Sequence, residues 1–169
     1  MPKYSAGILL YRFRDGILEV FLVHPGGPFW ARKDRAAWSI PKGEYQEGED
    51  PLDAAKRELA EETGTQLDSP PIDLGELRQP SGKIVHAWAA SQDCDPSAIR
   101  SNTFTMEWPP KSGKLQEFPE IDRAAWYPTS VAKSKLHKGQ AGFVYKLREM
   151  LGLPPEETDQ GPDREQLSE

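Results

Sequence analysis

The 169-residue sequence has one cysteine, Cys94, so no internal disulfide can staple it. It has three histidines, His24, His86 and His137, at no spacing that suits a metal site or a catalytic triad, which leaves each a structural reading. No apolar run approaches the ~20 residues of a membrane-spanning helix. Basic residues are in the minority, 21 Lys and Arg against 27 Asp and Glu, for a net charge of −6. That sign opposes sequence-independent binding of long nucleic acid, while small anionic substrates stay accessible to a metal ion and a few local cations. Met1-Pro2-Lys3-Tyr4 leads directly into a short apolar strand, not a charged n-region followed by a long apolar stretch, so the expectation is a cytoplasmic protein. A hydrophobic content of 37% over this length predicts a single domain with one substantial core. Its expected limits are residues 1–152. Residues 153–169 are polar and acidic with no stripe to bury, and are expected to form a mobile tail. There is no internal repeat.

Against this background one segment stands out, GEYQEGEDPLDAAKRELAEETG from Gly43 to Gly64. Asp50 is placed to cap a helix by accepting from the amide of Asp53, Pro51 suits the first helical position, and Gly64 supplies the left-handed residue that ends the helix. Leu52, Ala55 and Leu59 form its apolar stripe. At about 100° per residue, Glu58, Glu61 and Glu62 fall within roughly a 100° arc, so like charges crowd one side. Glu62 lies at the edge of the stripe, where desolvation is expected; Glu61 lies nearer solvent, with Arg57 one turn earlier to pair with it. Carboxylate oxygens without nearby sulfur or imidazole favour Mg²⁺, with Mn²⁺ as a substitute, commonly shared with substrate phosphates. A Glu-Glu pair on a helix is usually only a solvated face, but that reading leaves Gly43, Glu49, Arg57 and Gly64 at their fixed spacings unexplained.

Gly43, Glu49, Arg57, Glu58, Leu59, Glu61, Glu62 and Gly64 meet the pattern G-x5-E-x7-R-E-U-x-E-E-x-G-U, with U aliphatic, so the segment resembles a Nudix box. Thr65 departs from it at the last position, where its methyl can still pack. The resemblance implies an α/β fold, the Nudix α/β/α sandwich with a mixed central sheet. It implies that Glu61 and Glu62 are metal ligands, that Glu58 is a ligand or the base that deprotonates water, and that Glu49 and Arg57 orient them. The carbonyl of Lys42 would join the ligands beside Gly43, where glycine is expected to permit a tight turn. The activity implied is metal-dependent hydrolysis of a phosphoanhydride in a small nucleotide, with a nucleoside triphosphate or dinucleoside polyphosphate favoured by a weaker likeness to the MutT-type and dinucleoside polyphosphate hydrolase branches. A catalytically silent nucleotide-sensing module and an RNA-end pyrophosphohydrolase are the alternatives, opposed respectively by the intact acids and by the acidic charge. A homodimer is compatible with the sequence.

Along the rest of the chain, Ser5–Phe13 and Leu18–His24 read as a hairpin about Arg14-Asp15-Gly16, and Trp38-Ser39-Ile40 as a short strand. Further strands are expected at Leu74–Arg78, Ile84–Ala90, Thr103–Trp108 and Asp122–Tyr127. Helices are expected at Thr129–Leu136 and Gly139–Leu151, the second burying Phe143, Leu147, Met150 and Leu151. A distal acid often completes such a site, and Glu117 and Glu120, in the presumed loop 114–120, are the candidates ahead of Glu107. For phosphates, Lys42 is the first candidate, followed by Arg32 and Lys33 in the loop before Trp38, though basic loops are more often merely solvated. Tyr45, Phe29, Trp30, Trp88 and Trp108 are aromatic candidates for stacking a base, with core packing as the competing account, most of all for Trp88 beside Ile84.

Overall fold

The computed structural model describes residues 3–156. β1 (Tyr4–Arg14) and β2 (Ile17–Pro25) form the expected hairpin, with Tyr11 opposite Val20 and Arg14 opposite Ile17. β1 also pairs in parallel with β5 (Ile84–Ser91), which is flanked by antiparallel β4 (Ile72–Arg78), while β2 pairs with antiparallel β8 (Ile121–Pro128). β3 (Lys42–Glu44) joins the other edge of β1, opposite Ser5–Gly7, and completes a mixed six-stranded sheet ordered β4-β5-β1-β2-β8 along its main path.

Alternation along β1 assigns the two faces. Ala6, Ile8 and Leu10 pack with Phe21, Val23 and Trp88 beneath Ala54, Ala55 and Leu59 of α1 (Pro51–Thr63). Leu9 and Tyr11 pack on the opposite face with Val20, Leu22 and Trp38, under Ala132 of α2 (Thr129–Lys135) and Phe143, Val144 and Leu147 of α3 (Ala141–Met150). This is the α/β/α sandwich. α1 begins where Asp50 accepts from the Asp53 amide at 3.1 Å and ends at Gly64, whose φ is 78° and whose N–H donates to Ala60 at 2.8 Å.

Four expectations change. Trp38–Ile40 forms only single bridges, Ser39 to Val23 and Trp38 to Leu136, and the pairing with β1 falls on Lys42–Glu44 instead. The presumed loop 114–120 contains a strand, β7 (Leu115–Pro119), paired with β6 (Thr103–Glu107) in a separate two-stranded sheet. Its Leu115 is 74% exposed, so hydrophobic periodicity could not reveal it. On α3, Met150 is 44% exposed and Val144 takes the buried position. Leu153 packs against the core and Arg148 donates to the Pro154 carbonyl at 2.7 Å, so the first residues assigned to the tail lie against the domain; residues 157–169 of that expected tail lie outside the described residues.

Leu59 is completely buried between α1 and the sheet. Leu59→Ala should cost about 2–5 kcal/mol through lost transfer energy and the cavity left behind. Urea unfolding of the two proteins checks this, and a difference below about 1 kcal/mol would mean that α1 is not held by this face.

Candidate active site

α1 lies so close to β3 that a Cβ built on Gly43 would come 2.1 Å from the Glu58 carboxyl carbon. Gly43 is therefore needed for space; its φ is not among the positive ones, contrary to the expected tight turn. Glu62 points to the same strand, and its Oε1 accepts the Lys42 N–H at 3.1 Å. Arg57 gathers the remaining acids. Its Nε donates to Glu49 at 3.2 Å, and one terminal nitrogen donates to both Glu58 and Glu61 at 3.0 Å.

Glu120 reaches this cluster through a relay of backbone bonds. The Asn102 N–H donates to the Glu61 carbonyl at 3.0 Å, the Glu120 N–H to the Asn102 carbonyl at 2.8 Å, and the Gly26 N–H to the Glu120 carbonyl at 2.8 Å. The start of β8 is thereby tied to the last turn of α1. Glu107 instead accepts from Lys111 and Gly113 within its own hairpin, and Glu117 is exposed on β7. Of the distal candidates, Glu120 is the one brought to the cluster.

The charges are strained. Burial, followed by the charge of Glu61, raises the Glu58 carboxyl despite opposition from Arg57. Glu62 is pushed up to about 8, first by burial, with Glu58 and Glu120 adding to it and the Lys42 amide and ammonium opposing. Lys42 is lowered, first by burial and then by Lys83, against the pull of Glu62, Glu44 and Glu58. Arg57 is raised, chiefly by its bonds to Glu49 and Glu61, so it stays charged. Among the described residues, no three acidic, histidine or cysteine side chains already meet in the geometry of a bound ion. Glu58 and Glu61 lean on Arg57, and Glu62 leans on the Lys42 amide. The donor set nonetheless suits a hard divalent cation: all donors are oxygens, and two of the carboxylates are half-buried with too little positive charge around them.

Glu62, Glu120 and Lys42 open onto a cavity of about 720 Å³, also bounded by Gln79 and Lys83 from the β4–β5 turn, by His137, Lys138 and Gln140 between α2 and α3, and by Trp30. Arg32 and Lys33 do not line it. Both are exposed, and the Lys33 ammonium sits 5.0 Å from the Trp30 ring centroid. Tyr45 is also absent from the lining and packs beside Tyr4, with the α1-side core. Of the cations considered for phosphates, Lys42 therefore lines this cavity and Arg32 and Lys33 do not, while Lys83 and Lys138, which the sequence reading did not single out, line it as well. Spacing gave no signal for these two, because they come together only through the strand register and the α2–α3 connection. Trp88 is core and stacks on His86 at 3.9 Å, while Phe29 meets Trp108 edge-on away from the cavity. His24, fully buried, bonds to Asp122 at 2.8 Å and to the Lys33 carbonyl at 2.6 Å, a structural role that anchors the loop after β2.

The model of the NUDIX domain matches residues 1–147. An octanoyltransferase from Myxococcus xanthus is 31% identical over 136 residues, 80% of this chain and 33% of that protein. An RNA pyrophosphohydrolase from Caulobacter vibrioides is 52% identical over 50 residues, 27% of this chain and 29% of that protein. The chain thus spans about a third of the length of these curated relatives. A Caenorhabditis elegans Ap4A hydrolase, solved as a binary complex, superposes with a TM-score of 0.63 at 20% identity, covering 89% of this chain and 98% of that one, and supports the fold. No helix among the described residues is long and apolar enough to cross a membrane.

Because the Glu62 carboxyl is held near 8, its ionisation opposes folding increasingly as pH rises from the ordinary glutamate range to about 8, and fully above that. In chelator-treated protein, Glu62→Gln, which keeps the acceptor for the Lys42 amide, should therefore stabilise by about 1–3 kcal/mol at pH 8.5 and by little at pH 5. Urea midpoints at the two pH values measure this; an equal gain at both would refute the electrostatic origin.

Proposed function

The chain belongs to the NUDIX domain family, and from that membership we propose that it is a Mg²⁺-dependent hydrolase, with Mn²⁺ as a substitute, of a phosphoanhydride bond in a small nucleotide. A nucleoside triphosphate or dinucleoside polyphosphate is the favoured substrate. The observation that carries this reading is the charge coupling of Glu58, Glu62 and Glu120, with Glu62, Glu120 and Lys42 at the edge of a 720 Å³ cavity.

A pyrophosphate link resists hydrolysis because its oxygens repel an incoming nucleophile. A bound divalent ion would supply charge neutralisation at those oxygens and a more acidic water. Glu61, Glu62 and the Lys42 carbonyl are the proposed ligands, with Glu58 and Glu120 completing the set. Glu58, already raised by burial, is a ligand or takes the proton from the attacking water, a task favoured by a pKa nearer neutrality. Arg57 and Glu49 position Glu58 and Glu61. Arg57 also donates to Glu49, so it would keep a partner were Glu58 and Glu61 to hold an ion. Lys42, Lys83 and Lys138 would hold phosphates on the cavity side.

The relative named RNA pyrophosphohydrolase favours a second reading in which the same chemistry acts on an RNA 5′ end. The net charge of −6 opposes it, since affinity for a polymer draws on phosphate neutralisation. A silent sensing module is opposed by the retained Arg57, Glu58, Glu61 and Glu62.

Two measurements test the hydrolase reading. Glu61→Gln should reduce kcat on the preferred substrate by about 10²-fold or more while leaving the thermal midpoint nearly unchanged, and full turnover in that variant would reject the assignment. Chelator should abolish hydrolysis, with Mg²⁺ or Mn²⁺ restoring it; turnover that persists in chelator contradicts the metal role. Assaying nucleoside triphosphates, dinucleoside polyphosphates and a 5′-triphosphorylated oligonucleotide side by side, with products identified in ¹⁸O-water, separates the two substrate readings and fixes the bond that breaks.

A further inference from the structure

Gln79 is 6% exposed, lies on the cavity wall and directly follows β4. Its backbone is fully used: its N–H donates to the Lys83 carbonyl at 2.8 Å, and its carbonyl accepts from Gly82 at 2.8 Å. Its burial is enforced from the other side. Gly139, at φ 95°, brings the α2–α3 connection so near that a Cβ there would stand 3.0 Å from the Gln79 Cα. The side-chain amide makes no hydrogen bond among the described residues, and neither of its polar atoms is among the fully buried ones left without a partner, so the amide of this otherwise buried residue keeps access to solvent on the cavity side.

Several other polar side chains on the cavity wall are engaged, while the Trp30 indole N–H, a donor alone, makes no hydrogen bond among the described residues. Gln140 accepts from Ile40 at 3.0 Å and donates to Ser39 at 3.1 Å, and Ser39 in turn donates to the Ile40 carbonyl at 2.6 Å. Ser81 accepts the Lys83 N–H at 3.4 Å, and His137 bonds through Nδ1 to the Lys138 carbonyl at 2.6 Å. Lys42, Lys83 and Lys138 offer donors alone, which suits phosphate. Gln79 offers a donor beside an acceptor in one plane. That is the complement of a nucleobase edge and a poor match for phosphate, which has only acceptors.

We propose that Gln79 is a specificity-determining residue that reads the base of the bound nucleotide through its side-chain amide. The proposal rests on the reading of the cavity as the substrate site, and it adds the residue by which one base is preferred over the others. A primary amide has a fixed order of donor and acceptor, so a base with the reverse order displaces water from the amide without replacing its hydrogen bonds; discrimination comes mainly from that penalty.

The test is calorimetric binding, with Mg²⁺ present, of the α,β-methylene analogues of ATP, GTP, CTP and UTP, with inorganic tripolyphosphate as the ligand without a base. The full chain is compared with Gln79→Ala and with the near-isosteric Gln79→Glu, each checked for an unchanged thermal midpoint. The expected result is that the parent favours one analogue by about tenfold or more over the other bases and over tripolyphosphate. Both variants should lose about that factor for the favoured analogue, with Gln79→Ala, which adds no charge, binding tripolyphosphate within about twofold of the parent. No base preference in the parent, a preference surviving in both variants, or an equal loss for tripolyphosphate in Gln79→Ala would each overturn the proposal. Turnover is not the readout: base-selective binding without hydrolysis would sink the hydrolase reading and leave this one standing, whereas hydrolysis indifferent to base and to Gln79 would do the reverse.

Discussion

Everything at the acidic site depends on how near α1 sits to β3. The carboxylate of Glu58 occupies the space that any side chain at position 43 would need, and Glu62 reaches across to the next amide, so helix and strand meet through the two acids. That approach is set by apolar packing, with Ala54, Ala55 and Leu59 seated on Ala6, Ile8 and Leu10. Small residues at two of the three helix positions let the backbone come close. The hydrophobic face thus fixes the distance, and the charged face inherits it.

What the acids inherit is an unfavourable environment. Glu58 and Glu62 are partly removed from water and repel each other and Glu120, with Arg57 compensating from one side and Lys42 from the other. A fold can hold such a group of like charges only because the surrounding core over-determines their positions. A cation held among them would recover the stability given up here, which would link ion affinity to the same burial that raises the carboxyls.

The parts of the molecule legible in the sequence are those with local causes. The cap at Asp50, the stop at Gly64, the pairing of Arg57 with Glu61 and the desolvation of Glu62 follow from spacing along one helix. The β1–β2 hairpin follows from its turn and flanking apolar runs. Strand β7 escaped because its residues face water and its partner is an equally exposed hairpin arm, so no burial pattern marks it. Lys83, Lys138 and Gln79 escaped for a different reason. Lys138 is far along the chain from Gln79 and Lys83, which share the β4–β5 turn, and their convergence depends on the β4–β5 register and on a glycine that lets a helix connection close over Gln79. Charge and a place in the loop before Trp38 make Arg32 and Lys33 candidates, but the loop turns inward through Trp30 and Ala37 and its two cations are exposed and do not line the cavity.

The β6–β7 hairpin departs from the domain at Asn102 and comes back at Glu120, and those two residues are bonded to each other through Glu120 N–H and Asn102 C=O. The arm between them is a closed excursion whose root is already fastened to α1 and to Gly26. Changes at its outer turn, residues 109–113, therefore exert little leverage on the acid at its base, whereas Phe104 and Trp108 couple the arm to the loop after β2 through Gly27 and Phe29.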